Sequence, residues 1–456
     1  MKENCLEEKR EKGGKWKCEK EYHVPPVKEP LHIRVEVPGS KSITNRALLL
    51  AAMADGASEL DGVLFSEDSE VFIKALKDLG FSVEAEKAKH FVRVEGIGGG
   101  IPKKKAEIFV GSAGTAARFL TAFLAMNDGE YDLDATEQMR KRPMRELLMA
   151  LEELGAEFVF KEEAYHFPFR VKGIRQEMEK AEVSLNIDRS SQFLSALLLS
   201  APFRIGSLKI HLTGKRSARS YVEMTEQMMK EFGHAGVKRL GENDYEVERG
   251  KYQPGRYEIE PDVSAACYFY AMAAVTGGSA VVSRMKRDSL QGDMKFLSVL
   301  KKMGCRVELK ETEDDRESLI LYGPEGGRLR GFDESFSDFS DQTMTAAAIA
   351  PFADSTVTIR GIAHIRGQES DRVSAIETEL KAMKVRCETE KDRITIYPGT
   401  PVGTKVHTYH DNRVAMAFAI TGLMTDGVII EDPDCCKKTF PEYFEILEEI
   451  CKEGIS

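Results

Sequence analysis

Apolar positions recur along this chain in two alternating patterns, and together they divide it into six similar units. One class of segment is apolar nearly all round and rich in small residues: NRALLLAAMADGA from Asn45, TAARFLTAFLAM from Thr115, SSQFLSALLLSAP near Ser191, SAACYFYAMAAVTGG from Ser264, DQTMTAAAIAPFAD near Asp341 and NRVAMAFAITGLM from Asn412. These segments begin roughly 70 to 78 residues apart, a spacing that marks structural repeats. A helix apolar on every side is expected inside a layered structure, not on its surface. The second class is amphipathic: DSEVFIKALKDLG, PMRELLMALEELG, YVEMTEQMMKEFG, GDMKFLSVLKKMG, DRVSAIETELKAM and PEYFEILEEIC. Four of these close on a glycine suited to the left-handed position past a helix end. Twelve helices in six pairs are predicted. The short, β-branched, partly alternating segments SVEAE, EFVFK, LKIHL, AVVSR, TVTIR and GVIIE read as strands beside them. The expected fold class is α/β with buried helices and sheets outside.

At 456 residues the chain exceeds the size at which one core stops growing, so two domains of about three units each are expected. Hydrophobic residues make up 42% and charged residues 31%, and no uncharged apolar run approaches the roughly 18 residues a membrane span needs. No membrane association is expected. Residues 1–30 are Lys- and Glu-rich without an apolar stretch, and read as a disordered leader. The eight cysteines are scattered, with no C-x-x-C pair and no histidine at ligand spacing, which fits reduced thiols in a cytoplasmic protein and no bound metal.

The net charge of −10 argues against a nucleic-acid partner, since backbone binders usually carry a broad basic excess. Cations are instead concentrated where the units begin: Lys41 and Arg46, Arg118, the run Arg140-Lys141-Arg142, Arg366 and Arg372, Arg413, and Lys438. If equivalent helix starts converge on one cleft, their free N–H groups add to these cations and the cleft binds anions. Pro38-Gly39-Ser40-Lys41-Ser42 stands between a strand and a helix, with Ser40 or Ser42 available as a cap, but lacks the spacing of a nucleotide-binding phosphate loop. Gly111-Ser112-Ala113-Gly114-Thr115 lets backbone approach a ligand at a second helix start. Ser190-Ser191-Gln192 offers two hydroxyls and an amide at a third. Carboxylates in an anion cleft repel substrate unless they move protons, which singles out Asp341 and Glu369.

PGSKSITNRALLLAA, GSAGTAARFLTA, RKRPM, SSQFLSALLLSAP, DQTMTAAAIA, RGQESDR, TYHDNRVAMAF and KKTFPEYF together resemble the 5-enolpyruvylshikimate-3-phosphate (EPSP) synthases in order and spacing from about Leu31 to the C-terminus. The resemblance implies a two-domain, inside-out α/β barrel of six βαβαββ-like units. Residues 31–37 and 260–456 would form one domain, residues 38–259 the other, with the active site in the cleft between them. The implied reaction transfers the enolpyruvyl group of phosphoenolpyruvate to the 5-hydroxyl of shikimate 3-phosphate. These two small molecules would be the partners of a cofactor-free monomer, and glyphosate its inhibitor. Carried over by position, Asp341 is the proton acceptor, Glu369 the proton donor, and Lys41 touches both substrates. Lys41, Ser42, Arg46, Ser190, Ser191, Gln192, Asp341, His364 and Gln368 would hold shikimate 3-phosphate. Lys41, Gly114, Arg142, Gln192, Arg372, Arg413 and Lys438 would hold phosphoenolpyruvate.

Several positions depart from the family pattern: Gln368 replaces a common Lys, Asn412 a His, Ser112 an Asn and Phe119 a Pro, while Ala218-Arg219-Ser220-Tyr221 alters Ser-x-Pro-Tyr. Loss of the lysine leaves Arg189 as a candidate to compensate at the substrate phosphate. The transferase acting on UDP-N-acetylglucosamine shares the architecture but usually carries a cysteine loop before Arg-Pro, and none lies near Arg142-Pro143. An RNA 3′-phosphate cyclase would want a basic face. A non-catalytic anion-binding relative would not need Lys41, Asp341 and Glu369 together.

Overall fold

In the computed structural model the chain is described at residues 9–10, 16–17, 21–215, 219–311, 317–324 and 328–453. All twelve predicted helices form, with one more among the described residues. In chain order they are α1 (Lys41–Met53), α2 (Glu67–Asp78), α3 (Gly114–Ala125), α4 (Glu137–Arg140), α5 (Arg145–Glu153), α6 (Gln192–Ser200), α7 (Arg219–Glu231), α8 (Val263–Thr276), α9 (Lys295–Lys302), α10 (Thr343–Ile349), α11 (Arg372–Ala382), α12 (Asn412–Leu423) and α13 (Tyr443–Glu453). The unexpected α4 is a single turn whose start is capped by Thr136, its Oγ1 accepting from the Met139 N–H at 3.4 Å. The Ala-rich helices α1, α3, α6, α8, α10 and α12 have no exposed residue, as their all-round apolarity requires. Gly80, Gly155, Gly233 and Gly304 take positive φ after four of the amphipathic helices. After α11 the same position falls to Lys384, at φ 62°.

Among the described residues the strands form six sheets of three or four strands around these helices, and Lys9–Arg10 pairs antiparallel with Trp16–Lys17 in a separate two-stranded one. In three of them the unit is contiguous. Lys105–Phe109 runs parallel to Glu130–Asp134 with α3 between them, Met178–Asn186 parallel to Ile205–Thr213 with α6 between, and Asp333–Ser335 parallel to Val357–Arg360 with α10 between. An antiparallel pair then completes each sheet. Two other sheets take their first strand from elsewhere in the chain. Arg256–Glu258 joins Asp55–Asp61, and His32–Val35 joins Ser279–Ser283, both in parallel. Each sheet is open, and among the described residues none closes into a barrel.

The buried apolar residues fall into two clusters. One runs from Ile43 to Ile259, the other combines Val24–Val35 with Val263–Cys451. Residues 21–30 are not the tail of a disordered leader. Glu21–His23 pairs antiparallel with Ile429–Glu431, and the Val24 and Val27 amides donate to the Val428 and Leu423 carbonyls at 3.0 and 2.8 Å. A short polar edge strand carries too little apolar alternation to stand out from its charged surroundings. The rest of the expected leader, apart from 9–10 and 16–17, lies outside the described residues, as do Cys5, Cys18 and Ala218. The six described cysteines are free thiols. Among the described residues no helix is long and apolar enough to cross a membrane.

Candidate active site

The starts of five of the buried helices and the turn leading into the sixth face one cleft between the two apolar cores. From the first core come Lys41, Ser42 and Arg46 of α1, Thr115 and Arg118 of α3, and Ser190, Ser191 and Gln192 at α6. From the second come Asp262 and Ser264 at α8, Ser340 and Asp341 of the 3₁₀ turn before α10, Gln368, Glu369 and Arg372 at α11, and Asn412 and Arg413 of α12. Arg142, just past α4, adds a further cation, and the cavity left between them has a volume of about 100 Å³. Convergence of helix starts follows from the repeat, since each unit places its apolar helix in the same orientation behind its first strand.

One guanidinium organises the acidic side of the cleft. Arg372, 2% exposed, donates from Nη1 to Asp341 Oδ1 and from Nη2 to Glu369 Oε2, both at 2.9 Å, and from Nε to Asp411 Oδ2 at 2.8 Å. Asp341 Oδ2 accepts from Arg413 Nη2 at 2.8 Å. Glu369 Oε1 faces Arg142 Nη1 at 3.6 Å and Lys438 Nζ at 3.5 Å. Burial alone would raise the pKa of both carboxyls. Arg413 and Arg372 outweigh it at Asp341 and hold that group below the ordinary value; Arg142, Lys438 and Arg372 hold Glu369 well below. At neutral pH both are carboxylates, each neutralising cations placed to bind an anion.

The opposite wall is built more rigidly. Arg46, 2% exposed, donates to Thr225 Oγ1, the Ser42 carbonyl and Ser195 Oγ at 2.9, 3.0 and 3.0 Å, and lies against the rings of Phe119 and Tyr221. Burial brings its pKa down to about 10. Arg118 donates to Gln192 Oε1 at 2.8 Å and to the Pro143 carbonyl at 3.0 Å, and Gln192 Nε2 donates to Thr115 Oγ1 at 3.1 Å. Lys41 Nζ lies 3.5 Å from Asp68. Ser40 occupies the cap position of α1 but its side chain caps nothing, and the Lys41 amide donates to Asp262 Oδ2 at 3.1 Å instead.

Three of the residues assigned by position stand behind the cavity wall. A Cβ at Gly114 would sit 2.7 Å from Arg118 Nη1 and 2.8 Å from both terminal nitrogens of Arg142, so this glycine leaves space for two guanidinium groups. His364 Nε2 pairs with Ser340 Oγ at 2.7 Å, beside Asp341, and Lys438 reaches the site through Glu369. The departures from the family pattern also find partners. Gln368 Oε1 accepts from Arg372 Nη1, Asn412 Nδ2 donates to Thr439 Oγ1 at 2.7 Å, and Ser112 Oγ meets Thr136 Oγ1 at 2.7 Å. Arg189 lines the cavity next to Ser190.

Sequence reasoning did not single out Asp411, Asp262 or Asp293. The first two are helix caps that also serve the site. Asp411 accepts from the Arg413 amide at 3.0 Å as well as from Arg372; Asp262 accepts from the Ala265 amide at 3.0 Å as well as from Lys41. Asp293 is held by Ser264 Oγ and by Gln342 Nε2, the latter at 3.2 Å. Burial, followed by the charge of Asp341, raises its pKa to about 6. Its only sequence signal is an acid just before an amphipathic helix.

Comparison with known proteins agrees with this geometry. The sequence model of EPSP synthase (3-phosphoshikimate 1-carboxyvinyltransferase) matches residues 27–447. The 3-phosphoshikimate 1-carboxyvinyltransferase of Trichormus variabilis is 44% identical over 423 residues, covering 92% of this chain and 97% of that enzyme. The chloroplastic enzyme of Arabidopsis thaliana is 39% identical, covering 92% of this chain and 82% of that one. The solved EPSP synthase structure from Acinetobacter baumannii has the same fold, with a TM-score of 0.77 at 24% identity over 94% of this chain and 98% of that one. A family match across nearly the whole length, on a fold whose repeated helix starts build one anion cleft, places this chain in the EPSP synthase family.

Proposed function

We propose that this chain transfers the enolpyruvyl group of phosphoenolpyruvate to the 5-hydroxyl of shikimate 3-phosphate and releases inorganic phosphate. The observation that carries the reading is the double ion pair of Arg372 with Asp341 and Glu369, which sets two carboxylates around one cation at the floor of an anion cleft. Phosphoenolpyruvate, taking Arg142, Arg372, Arg413 and Lys438, would relieve both carboxylates of their counter-ions. The proton affinity of Glu369 then rises, it takes up a proton from solvent, and it delivers that proton to the enol methylene carbon. The adjacent carbon becomes electrophilic, the 5-hydroxyl oxygen attacks it, and Asp341 takes the hydroxyl proton. The tetrahedral intermediate expels phosphate and loses a methyl proton to Glu369, restoring the double bond.

Ser190, Ser191 and Gln192, with Lys41, Ser42 and Arg46, supply the shikimate 3-phosphate side. His364 and Gln368 serve it from the second core, through Ser340 and Arg372 respectively. The two apolar cores are taken as two domains meeting near Val37 and Glu260, in a monomeric cytoplasmic protein inhibited by glyphosate. Phosphate release with each substrate alone and with both tests the reaction. Release should require the pair, and UDP-N-acetylglucosamine in place of shikimate 3-phosphate should give none. Release from phosphoenolpyruvate alone, or with the UDP-sugar, overturns the assignment.

A further inference from the structure

Away from the chain crossings near Val37 and Glu260, two hydrogen bonds from side chain to main chain that the reaction scheme does not use join the two sides of the cleft. Gln138 of α4 donates from Nε2 to the main-chain carbonyl of Glu369 at 2.9 Å. Ser220 of α7 donates from Oγ to the main-chain carbonyl of Asp338 at 2.8 Å. In both, a side chain from the first core grips backbone belonging to the second. One carbonyl is that of Glu369 itself, and the other lies three residues before Asp341, at the entry to its 3₁₀ turn.

Both grips are held from behind. Gln138 sits on a turn capped by Thr136, whose hydroxyl meets Ser112 Oγ, and the Ser112 carbonyl accepts from Arg142 Nη1 at 3.4 Å. Gln138 and Arg142 are four residues apart, so the same short stretch holds the Glu369 main chain with one side chain and faces its carboxylate with the other. Ser220 is buried in the first turn of α7. It can approach only because residue 292 is glycine: a Cβ there would lie 2.7 Å from Ser220 Cβ and Oγ and 2.9 Å from the Asp338 carbonyl oxygen. A contact that close needs a backbone without a side chain on one partner, an observation independent of the hydrogen bonds themselves.

We infer that Gln138 and Ser220 are positioning residues: a two-point latch that, when the cleft closes, sets the main chain of the two proton-moving carboxylates. The inference rests on the proposed roles of Asp341 and Glu369. Neither latch residue touches the reacting atoms, so losing the latch removes alignment in the transition state more than ground-state binding. Both donors reach carbonyls, so a long side chain that keeps an N–H donor preserves the Gln138 contact.

The test is steady-state kinetics with melting curves on Gln138→Leu, Ser220→Ala, the double variant, Gly292→Ala and Gln138→Lys. Each single loss should lower kcat by about fivefold and the double by about twentyfold, the scale of one and two hydrogen bonds. KM for shikimate 3-phosphate should stay within about twofold, because a lost transition-state alignment appears in kcat. Tm should be unchanged in Gln138→Leu and Ser220→Ala. Gly292→Ala should lose kcat at least as strongly as Ser220→Ala, and Gln138→Lys should recover most of it. Wild-type kcat in the double variant, an equal loss in Gln138→Lys, or a change confined to KM overturns the latch. Glu369→Gln, run alongside, separates this idea from the one beneath it. Turnover retained there removes Glu369 as donor and the latch with it, whereas turnover lost there with a fully active double variant removes the latch alone.

Discussion

Replacing Asp341 by Asn tests the acidic side of the cleft most sharply, because its two oxygens serve two different cations. Oδ1 accepts from Arg372 and Oδ2 from Arg413, at 2.9 and 2.8 Å. An amide of the same shape keeps one acceptor and turns an N–H₂ onto the other guanidinium. The losses are unequal. Arg372 retains Asp411 and Glu369, whereas Arg413, among the described residues, pairs with no other carboxylate and keeps only Tyr268 Oη at 3.4 Å. Turnover should fall by about 10²–10⁴-fold, the usual scale for a lost general base. Leaving a mostly buried charged group short of its partner costs about 1–3 kcal/mol. That corresponds to a Tm lower by roughly 2–12 °C, at about 2–4 °C per kcal/mol for units of this size.

The same argument gives the variant a signature that a merely misfolded protein would lack. With Arg413 uncompensated, a free anion replaces the missing carboxylate, so inorganic phosphate should raise Tm more in Asp341→Asn than in wild type. Phosphate-release kinetics, titration calorimetry with shikimate 3-phosphate and melting curves across a phosphate series measure the three quantities. Near-normal turnover removes Asp341 from proton transfer. Equal phosphate shifts in the two proteins refute the claim that Arg413 depends on it.

Gly114→Ala should raise KM for phosphoenolpyruvate by about tenfold, since its methyl group pushes the Arg142 guanidinium from its seat, and it should weaken glyphosate inhibition by a larger factor because the longer anion has less room to adjust; inhibition constants equal to wild type would place the glycine outside the anion site. Stability against pH should pass through a maximum on the acid side of neutrality. Asp293, raised to about 6, binds a proton in the native state before the unfolded chain does, so stability rises as pH falls through 6. Asp341 and Glu369 are held low, so their contribution is present above the unfolded carboxylate range and lost as pH falls below about 4. Melting curves of wild type and Asp293→Asn from pH 8 to 3 check this; the variant should lack the rise, and a rise of the same size in both would discount Asp293.

The six units were legible because two independent signals coincide in each, an all-round apolar helix and a cation or hydroxyl at its start. Where one signal was weak, legibility fell. The strand Glu21–His23 has three residues and a single apolar side chain, so nothing in its own sequence distinguishes it from the Lys- and Glu-rich stretch before it; only the unpaired edge of Ile429–Glu431 calls for it. The one-turn α4 was hidden in a basic run, because the residues that hold it, Thr136 and Ser112, act through hydroxyls 24 positions apart in sequence.

Charge alone could not tell which cations face the cleft. Lys41 and Arg46 are five residues apart on one helix, which puts their side chains on different sides at about 100° per residue. Lys41 therefore reaches Asp68 of α2 on its own side of the cleft while Arg46 turns inward to Thr225 and Ser195. That difference follows from spacing and was available in the sequence. The role of Asp411 was not. A cap needs only the next turn of its own helix, but the contact to Arg372 spans 39 positions and depends on how two units face each other. Under the proposed mechanism it is also the contact that holds Arg372 in place. With Asp411 bound to Nε, Arg372 can surrender Asp341 and Glu369 to an incoming anion and still keep a partner, so the guanidinium stays in place while the two carboxylates change their proton affinity. A site that trades internal ion pairs for substrate needs such a fixed counter-charge behind it, and residue type alone does not reveal which acid provides it.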